Sequence, residues 1–86
     1  MAYKVNLHKK AIKDLSKLDF PVRKNIVEKI ENHLVKDPIE LGKALKGNFK
    51  GFYRYRVGDY RVIYVINPIE KTIFITNINH RKIVYK

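Results

Sequence analysis

Cysteine is absent from this chain of 86 residues. The protein therefore cannot form disulfides, thiolate metal sites or a cysteine nucleophile, and such a composition fits a reducing compartment. Its three histidines, His8, His33 and His80, are far apart in sequence and have no carboxylates at ligand spacing. We therefore expect no metal site.

Long apolar runs and phosphate-binding loops are missing as well. The longest apolar runs span only a few residues, which is too short for a membrane helix. The N-terminus, MAYKVNLHKK, has no apolar signal-peptide core. No glycine-rich loop opens a helix, and no Ser-His-Asp arrangement is evident. We expect a cytoplasmic protein without a nucleotide-cradling loop.

Acidic side chains are scarce in the second half of the chain. Residues 41–86 hold ten basic and two acidic side chains, whereas residues 1–40 hold nine and six. A paired-carboxylate mechanism therefore has too few acids in this half. The net charge of +11 is concentrated there and attracts polyanions. Because the basic segments also carry aromatics, nucleic acid is favoured over an anionic membrane.

The first half of the chain predicts one strand and two helices. Residues Ala2–Leu7 alternate as a strand, and Ala11–Leu18 then has its apolar residues at helical spacing. The sequence Asp19-Phe20-Pro21 separates this helix from a second one. The second helix carries an apolar stripe from Val22 to Leu34, and we predict that it ends at Asp37-Pro38, because a residue before proline avoids the α region.

The second half predicts strands joined by short turns. Alternating apolar residues mark Phe52–Val57, Tyr60–Ile66 and Thr72–Asn79. Three glycines are expected to mark turns before them, namely Gly42, Gly47 and Gly51. We expect Ile83–Tyr85 to form either a last short pairing or an ordered tail. Without repeats or a linker, we predict one α+β domain over residues 1–86: an N-terminal strand, an antiparallel helix hairpin and an antiparallel meander sheet.

The segment Gly51–Ile66, GFYRYRVGDYRVIYVI, interleaves arginines with aromatics. Successive side chains alternate across a strand, so Arg54 and Arg56 share one face, opposite three apolar side chains, and Arg61 follows on the next strand. Arginines on a hairpin can simply form a solvated surface. Three of them with few acids nearby favour phosphate as an external partner.

Strict alternation sorts the last strand into two faces. It places Ile73 and Ile75 with Asn77, Asn79 and Arg81, a set that turns polar towards its end and resembles the floor of an open groove. The other face holds Phe74, Thr76, Ile78 and His80. Among the tyrosines, Tyr53, Tyr55 and Tyr64 share the apolar parity and are expected in the core, while Tyr60 is ambiguous.

The chain resembles the RelE/ParE toxin superfamily over nearly its whole length, and the RelE branch in particular. The resemblance rests on AIKDLSKL, on LKGNFKGFYRYRVGDYRVIYVI and on the tail NINHRKIVY. It implies a type II toxin that enters the ribosomal A site and cuts the messenger by attack of a ribose 2′-OH on the adjacent phosphate. It also implies an acidic antitoxin partner, a toxin–antitoxin hetero-oligomer and no cofactor.

The resemblance implies roles for individual residues. Arg61 matches the arginine that stabilises the pentavalent phosphate, and Arg81 matches the one that neutralises or protonates the leaving oxygen. Tyr85 matches the tyrosine that orients or deprotonates the 2′-OH or stacks on a base. Arg54 and Arg56 stand where well-studied RelE toxins have lysines. Lys50 and Lys82 are further expected RNA contacts.

This substitution of arginine for lysine affects the expected mechanism. Arginine keeps its proton, so Arg54 and Arg56 are predicted as electrostatic clamps rather than general bases. The proton acceptor is then Tyr85 or His80, or geometry alone carries most of the rate. Two other functions remain open: a ParE-like module that inhibits gyrase without cutting, and an inactive RNA-binding relative.

Overall fold

The structure is a computed structural model, and it describes residues 2–80. Two short 3₁₀ turns, Leu34–Lys36 and Gly47–Phe49, separate the regular elements. In chain order these elements are β1 (Lys4–Leu7), α1 (Lys9–Ser16), α2 (Phe20–Asn32), α3 (Pro38–Leu41), β2 (Lys43–Ala44), β3 (Tyr53–Val57), β4 (Tyr60–Asn67) and β5 (Thr72–His80). The predicted α+β class and the order of strand, helices and sheet are confirmed. Within the described range, no helix combines the length and apolar character needed to cross a bilayer.

The predicted end of the second helix is wrong. α2 ends at Asn32, because His33 leaves the helical region with φ −132° and ψ −63°. Asp37-Pro38 instead begins α3: the Asp37 carboxylate accepts the backbone N–H of Glu40 at 3.2 Å, and the proline occupies the first turn. The same dipeptide thus signals the start of a new helix.

The five strands form one sheet in the order β1-β5-β4-β3-β2. β3, β4 and β5 form the predicted antiparallel meander. β1 pairs with β5 in parallel, with Lys4 opposite Thr72, so the first strand lies beside the last described one. β2 adds an edge strand of two residues beside β3, which is too short to be read from alternation in the sequence.

The helices cover one face of this sheet, and we call the opposite side the open face. The core between them is apolar, and Tyr64, Val62, Ile73 and Ile75 are fully buried in it. The helical side chains that contribute to it are Ala11, Leu15, Ile26 and Ile30. Burial of these side chains stabilises the sheet, whose hydrogen-bonded strands set the spacing of the side chains on the open face.

Helix α1 also closes the edge of β5 beyond the end of β1. The backbone N–H of His8 donates to the carbonyl of Ile75 at 2.9 Å, and the N–H of Ile78 donates to the Asp14 carboxylate at 2.9 Å. The Lys10 ammonium balances that carboxylate at 2.8 Å. Hydrogen-bonding groups on the edge of β5 thereby find partners at the helix, which protects this edge from pairing with another chain.

Candidate nucleic-acid interface

The strand register brings the arginines together on the open face. Cross-strand partners point to the same face of a sheet. Arg54 pairs with Lys43 on one side and with Ile63 on the other, and Arg56 pairs with Arg61. Four basic side chains from three neighbouring strands therefore share one side of the sheet.

These side chains line a pocket of about 230 Å³, which we call the arginine pocket. The described residues that line it are Leu41, Lys43, Arg54, Arg56 and Arg61. Arg54 and Arg61 are half-buried and Arg56 is exposed. The Nε of Arg56 donates to the carbonyl of Gly58 at 3.1 Å. No carboxylate belongs to this described lining, so the pocket suits an anion with several acceptor oxygens, such as a phosphate.

One wall of the arginine pocket is held by a buried tyrosine. The Tyr64 hydroxyl donates to the carbonyl of Pro38 at 2.6 Å and so attaches α3 to the sheet. Burial, with the neighbouring Tyr53, Tyr55 and Asp37, raises the pKa of Tyr64, so the hydroxyl keeps its proton. The segment fixed in this way supplies Leu41 and Lys43 to the pocket.

Gly42 makes that attachment sterically possible. A Cβ atom at this position would lie 1.7 Å from the Tyr64 hydroxyl oxygen. The residue has φ −89° and ψ 170°, an extended conformation open to any amino acid. Gly42 was predicted as a turn marker, but the structure requires a glycine here for close approach of the tyrosine.

A β-bulge in β5 changes which side chains reach the open face. Ile63 pairs with Asn77 whereas Tyr64 pairs with Ile75, so Thr76 is an extra residue between them. Strict alternation is therefore wrong from this point. The bulge keeps Ile78 in the core with Ile75, while Asn77 turns to the open face.

Beyond the bulge, the end of β5 presents one polar side chain to each face. Asn79 pairs with Arg61 and joins the arginine side. His80 pairs with Tyr60 on the helix-covered face, where the rings meet edge to face at 5.2 Å. His80 therefore shares a face with Ile78, as predicted, but not with Phe74, which lies on the open face.

The tyrosines occupy the positions that their parity predicts. Tyr55 and Tyr64 are buried, and Tyr53 stacks on Tyr64 with ring centroids 5.6 Å apart. The Tyr55 hydroxyl is 2.6 Å from Nδ1 of His33, a bond that joins the end of α2 to β3. His33 thus has a structural contact on the helix-covered side of the sheet, opposite the arginine pocket.

Comparisons with known proteins identify the family. Residues 5–85 match the family model described as ParE toxin of the type II toxin–antitoxin system, parDE. The chain belongs to this toxin family. It is 31% identical to toxin RelG of Mycobacterium tuberculosis over 86 residues, which cover 100% of this chain and 99% of the relative.

Solved toxin structures share the fold. The toxin superposes on a chain of the toxin–antitoxin complex RelBE2 from M. tuberculosis with a TM-score of 0.90 and 31% identity, covering 94% of this chain and 100% of that one. An archaeal RelE–RelB complex from Pyrococcus horikoshii gives a TM-score of 0.74 and 30% identity, with coverages of 98% and 100%. The predicted RelE/ParE resemblance is confirmed.

Three of the predicted site residues of this toxin lie together. Arg54, Arg56 and Arg61 line the arginine pocket. Lys50 is exposed next to the 3₁₀ turn Gly47–Phe49 and is not among the described lining residues. The predictions on Arg81, Lys82 and Tyr85, like the proposed pairing over 83–85, fall outside the described residues.

Two residues that line the arginine pocket, Leu41 and Lys43, were not predicted from the sequence. Lys43 belongs to the two-residue strand β2, and Leu41 ends the short helix α3. Neither element is long enough to show a period. The nearest sequence signal is Gly42 between them, which is compatible with either a turn or a close approach.

Proposed function

We propose that this toxin is a ribosome-dependent endoribonuclease that cleaves messenger RNA in the A site and thereby stops translation. The observation that carries the proposal is the arginine pocket, where four basic side chains surround a space suited to a phosphate. The relatives named RelG and RelBE2 support the assignment to the RelE branch.

The proposed reaction is an intramolecular phosphoryl transfer. The ribose 2′-oxygen forms a bond to the adjacent phosphorus as the bond from phosphorus to the 5′-oxygen breaks. The 2′-OH loses a proton and the leaving 5′-oxygen gains one, which yields a 2′,3′-cyclic phosphate and a 5′-OH. Negative charge grows on the phosphoryl oxygens in the transition state, so fixed guanidinium groups stabilise it more than the ground state.

In this proposal, the side chains of the pocket have separate roles. Arg61 holds the pentavalent phosphate, and Arg54 and Arg56 act as clamps on non-bridging oxygens. Arg81 serves the leaving oxygen and Tyr85 accepts or orients the 2′-OH proton. His80 is the weaker candidate for proton acceptor, because its cross-strand partner Tyr60 lies on the helix-covered face. Lys50 and Lys82 are proposed as contacts to the RNA backbone.

Inhibition of DNA gyrase is the second candidate function, because the matching family model is described as ParE toxin. A gyrase inhibitor needs a binding surface but no phosphate-binding pocket. The cluster of Lys43, Arg54, Arg56 and Arg61 favours the nuclease. An inactive RNA-binding relative would have the same charge without cleavage.

A translation reaction separates these functions. Purified toxin added to an in vitro translation system should stop protein synthesis and produce messenger ends that map within A-site codons. Messenger without ribosomes should stay intact. The toxin should leave gyrase supercoiling activity unchanged in a parallel assay. Loss of supercoiling with normal translation would replace the proposal by gyrase inhibition, and RNA binding with neither effect would indicate the inactive relative.

We also propose that an acidic antitoxin binds this toxin in a hetero-oligomer. The toxin carries a net charge of +11, and the two solved relatives are toxin–antitoxin complexes. A partner of opposite charge that folds on binding would neutralise this field. Co-expression with a candidate acidic antitoxin should yield a complex that no longer inhibits translation. Toxin that stays unbound and active when the acidic protein is present would contradict this.

A further inference from the structure

A second pocket lies on the open face beside the arginine pocket. It measures about 570 Å³, and we call it the aromatic pocket. The described residues that line it are His8, Lys10, Phe49, Phe52, Ile63, Thr76 and Asn77. Its lining, as far as the structure describes it, contains no carboxylate. The space is large enough for a planar heterocycle with its sugar.

The two pockets are adjacent in the sheet. Ile63, in the floor of the aromatic pocket, pairs directly with Arg54 of the arginine pocket, and Asn77 pairs with Ile63 on the other side. Two strand spacings therefore separate Arg54 from Asn77, about 9–10 Å. A phosphate beside Arg54 would be within one nucleotide of a group seated over Ile63.

The walls of the aromatic pocket are planar and partly open. Phe49 and Phe52 are both half-buried, so each leaves part of its ring accessible. Ile63 points to the open face and lines the pocket together with these two rings, yet it is only 1% exposed. Aromatic rings offer a stacking surface to any base, since every base has a π-face.

One side of the aromatic pocket is polar because of the β-bulge. The Thr76 hydroxyl donates to Oδ1 of Asn77 at 2.8 Å, which fixes the orientation of the amide. A base has hydrogen-bonding groups on its edge and an apolar face, and this pocket has both kinds of wall. Lys10 at the rim is paired with the Asp14 carboxylate, so the pair adds no net charge, and the pocket suits a base through its aromatic walls and polar edge rather than through charge.

We propose that the aromatic pocket binds one base of the messenger while the arginine pocket holds the neighbouring phosphate. The inference rests on the proposed function, because it names the group of the RNA that positions the scissile phosphate. Stacking on Phe52 would fix the ribose relative to the arginines, and the correct geometry would then be reached without further ordering.

The test uses ribosomes programmed with messengers that carry an abasic nucleotide at each A-site position in turn. For the wild-type toxin, kcat/KM should fall about tenfold when the base at one position is missing. Phe52→Leu should lower kcat/KM on the intact messenger by a similar factor. In this variant, removal of the base at that position should cause no further loss of kcat/KM, because the base no longer has its stacking partner.

Phe74→Leu is the matched control, since Phe74 is 42% exposed on the same open face but lies outside the aromatic pocket. It should keep the wild-type kcat/KM on the intact messenger and show the wild-type loss of kcat/KM on each abasic messenger.

Two results would overturn the base pocket while cleavage itself persists. One is a Phe52→Leu toxin that loses as much kcat/KM on the abasic messenger as the wild type does, and the other is a wild type that loses none. Failure of the wild type to cut any messenger would instead overturn the proposed function. A Phe52→Leu toxin that cuts normally but no longer binds its acidic antitoxin would make the pocket a protein-docking site.

Discussion

Arg61→Gln should lower the single-turnover rate of messenger cleavage by about 10²–10³-fold. Arg61 is half-buried in the arginine pocket, between its cross-strand partners Arg56 and Asn79. Glutamine keeps some hydrogen bonding but removes the fixed charge that the growing phosphorane requires. Cleavage should be followed on programmed ribosomes with toxin in excess, so that binding does not limit the rate.

Two further variants make the Arg61 result specific. Arg61→Lys keeps the charge but loses the planar fork, so its rate should fall between those of the wild type and Arg61→Gln. Lys13→Gln removes an equal charge from the exposed side of α1 and should cleave at the wild-type rate. Thermal unfolding should show that all of these variants are folded. A full cleavage rate in folded Arg61→Gln would rule out the arginine pocket as the catalytic centre.

Gly42→Ala should destabilise the toxin by about 3 kcal/mol, although it adds only one methyl group. The new Cβ would meet the hydroxyl oxygen of Tyr64 at 1.7 Å and its ring carbon at 2.8 Å. The Tyr64 side chain is fully buried, so moving it away from the new methyl group requires the surrounding core to shift. The midpoint of thermal unfolding should fall by roughly 12–24 °C.

A double-mutant cycle identifies the cause of this loss. Tyr64→Phe alone should cost about 1–2 kcal/mol, because the carbonyl of Pro38 loses its donor. In the Tyr64→Phe background, Gly42→Ala should cost less than in the wild type, because the nearest clashing atom is gone. Additive free energies of unfolding would show that the hydroxyl is not the obstacle. Equal stability of Gly42→Ala and the wild type would contradict the close approach itself.

Periodicity in the sequence predicted the elements that are long and half-buried. Apolar residues repeat over several turns in the helices of the first half and over several alternations in β3, β4 and β5. Each of these patterns therefore predicts one type of secondary structure. The cluster of Arg54, Arg56 and Arg61 followed from the same alternation, because it needed only the hairpin register.

Features that depend on single residues were harder to predict. The bulge at Thr76 depends on how β5 packs against two neighbours, and alternation contains no sign of an inserted residue. Asp37-Pro38 is compatible with both the end of one helix and the start of another, and only the bond to Glu40 decides between them. The fit between Gly42 and Tyr64 joins residues that are distant in sequence, which no local pattern reveals.

The parallel pairing of β1 with β5 has a consequence for how the toxin is made. The partners of the first strand, Thr72–Ile75, are among the last described residues to be synthesised. While the nascent chain is incomplete, β1 has no partner, and the sheet that aligns the arginines cannot be completed. Such a distant pairing also closes a long loop, which slows folding. The five-stranded sheet that supports the arginine pocket is therefore completed only after residues 72–75 have been synthesised.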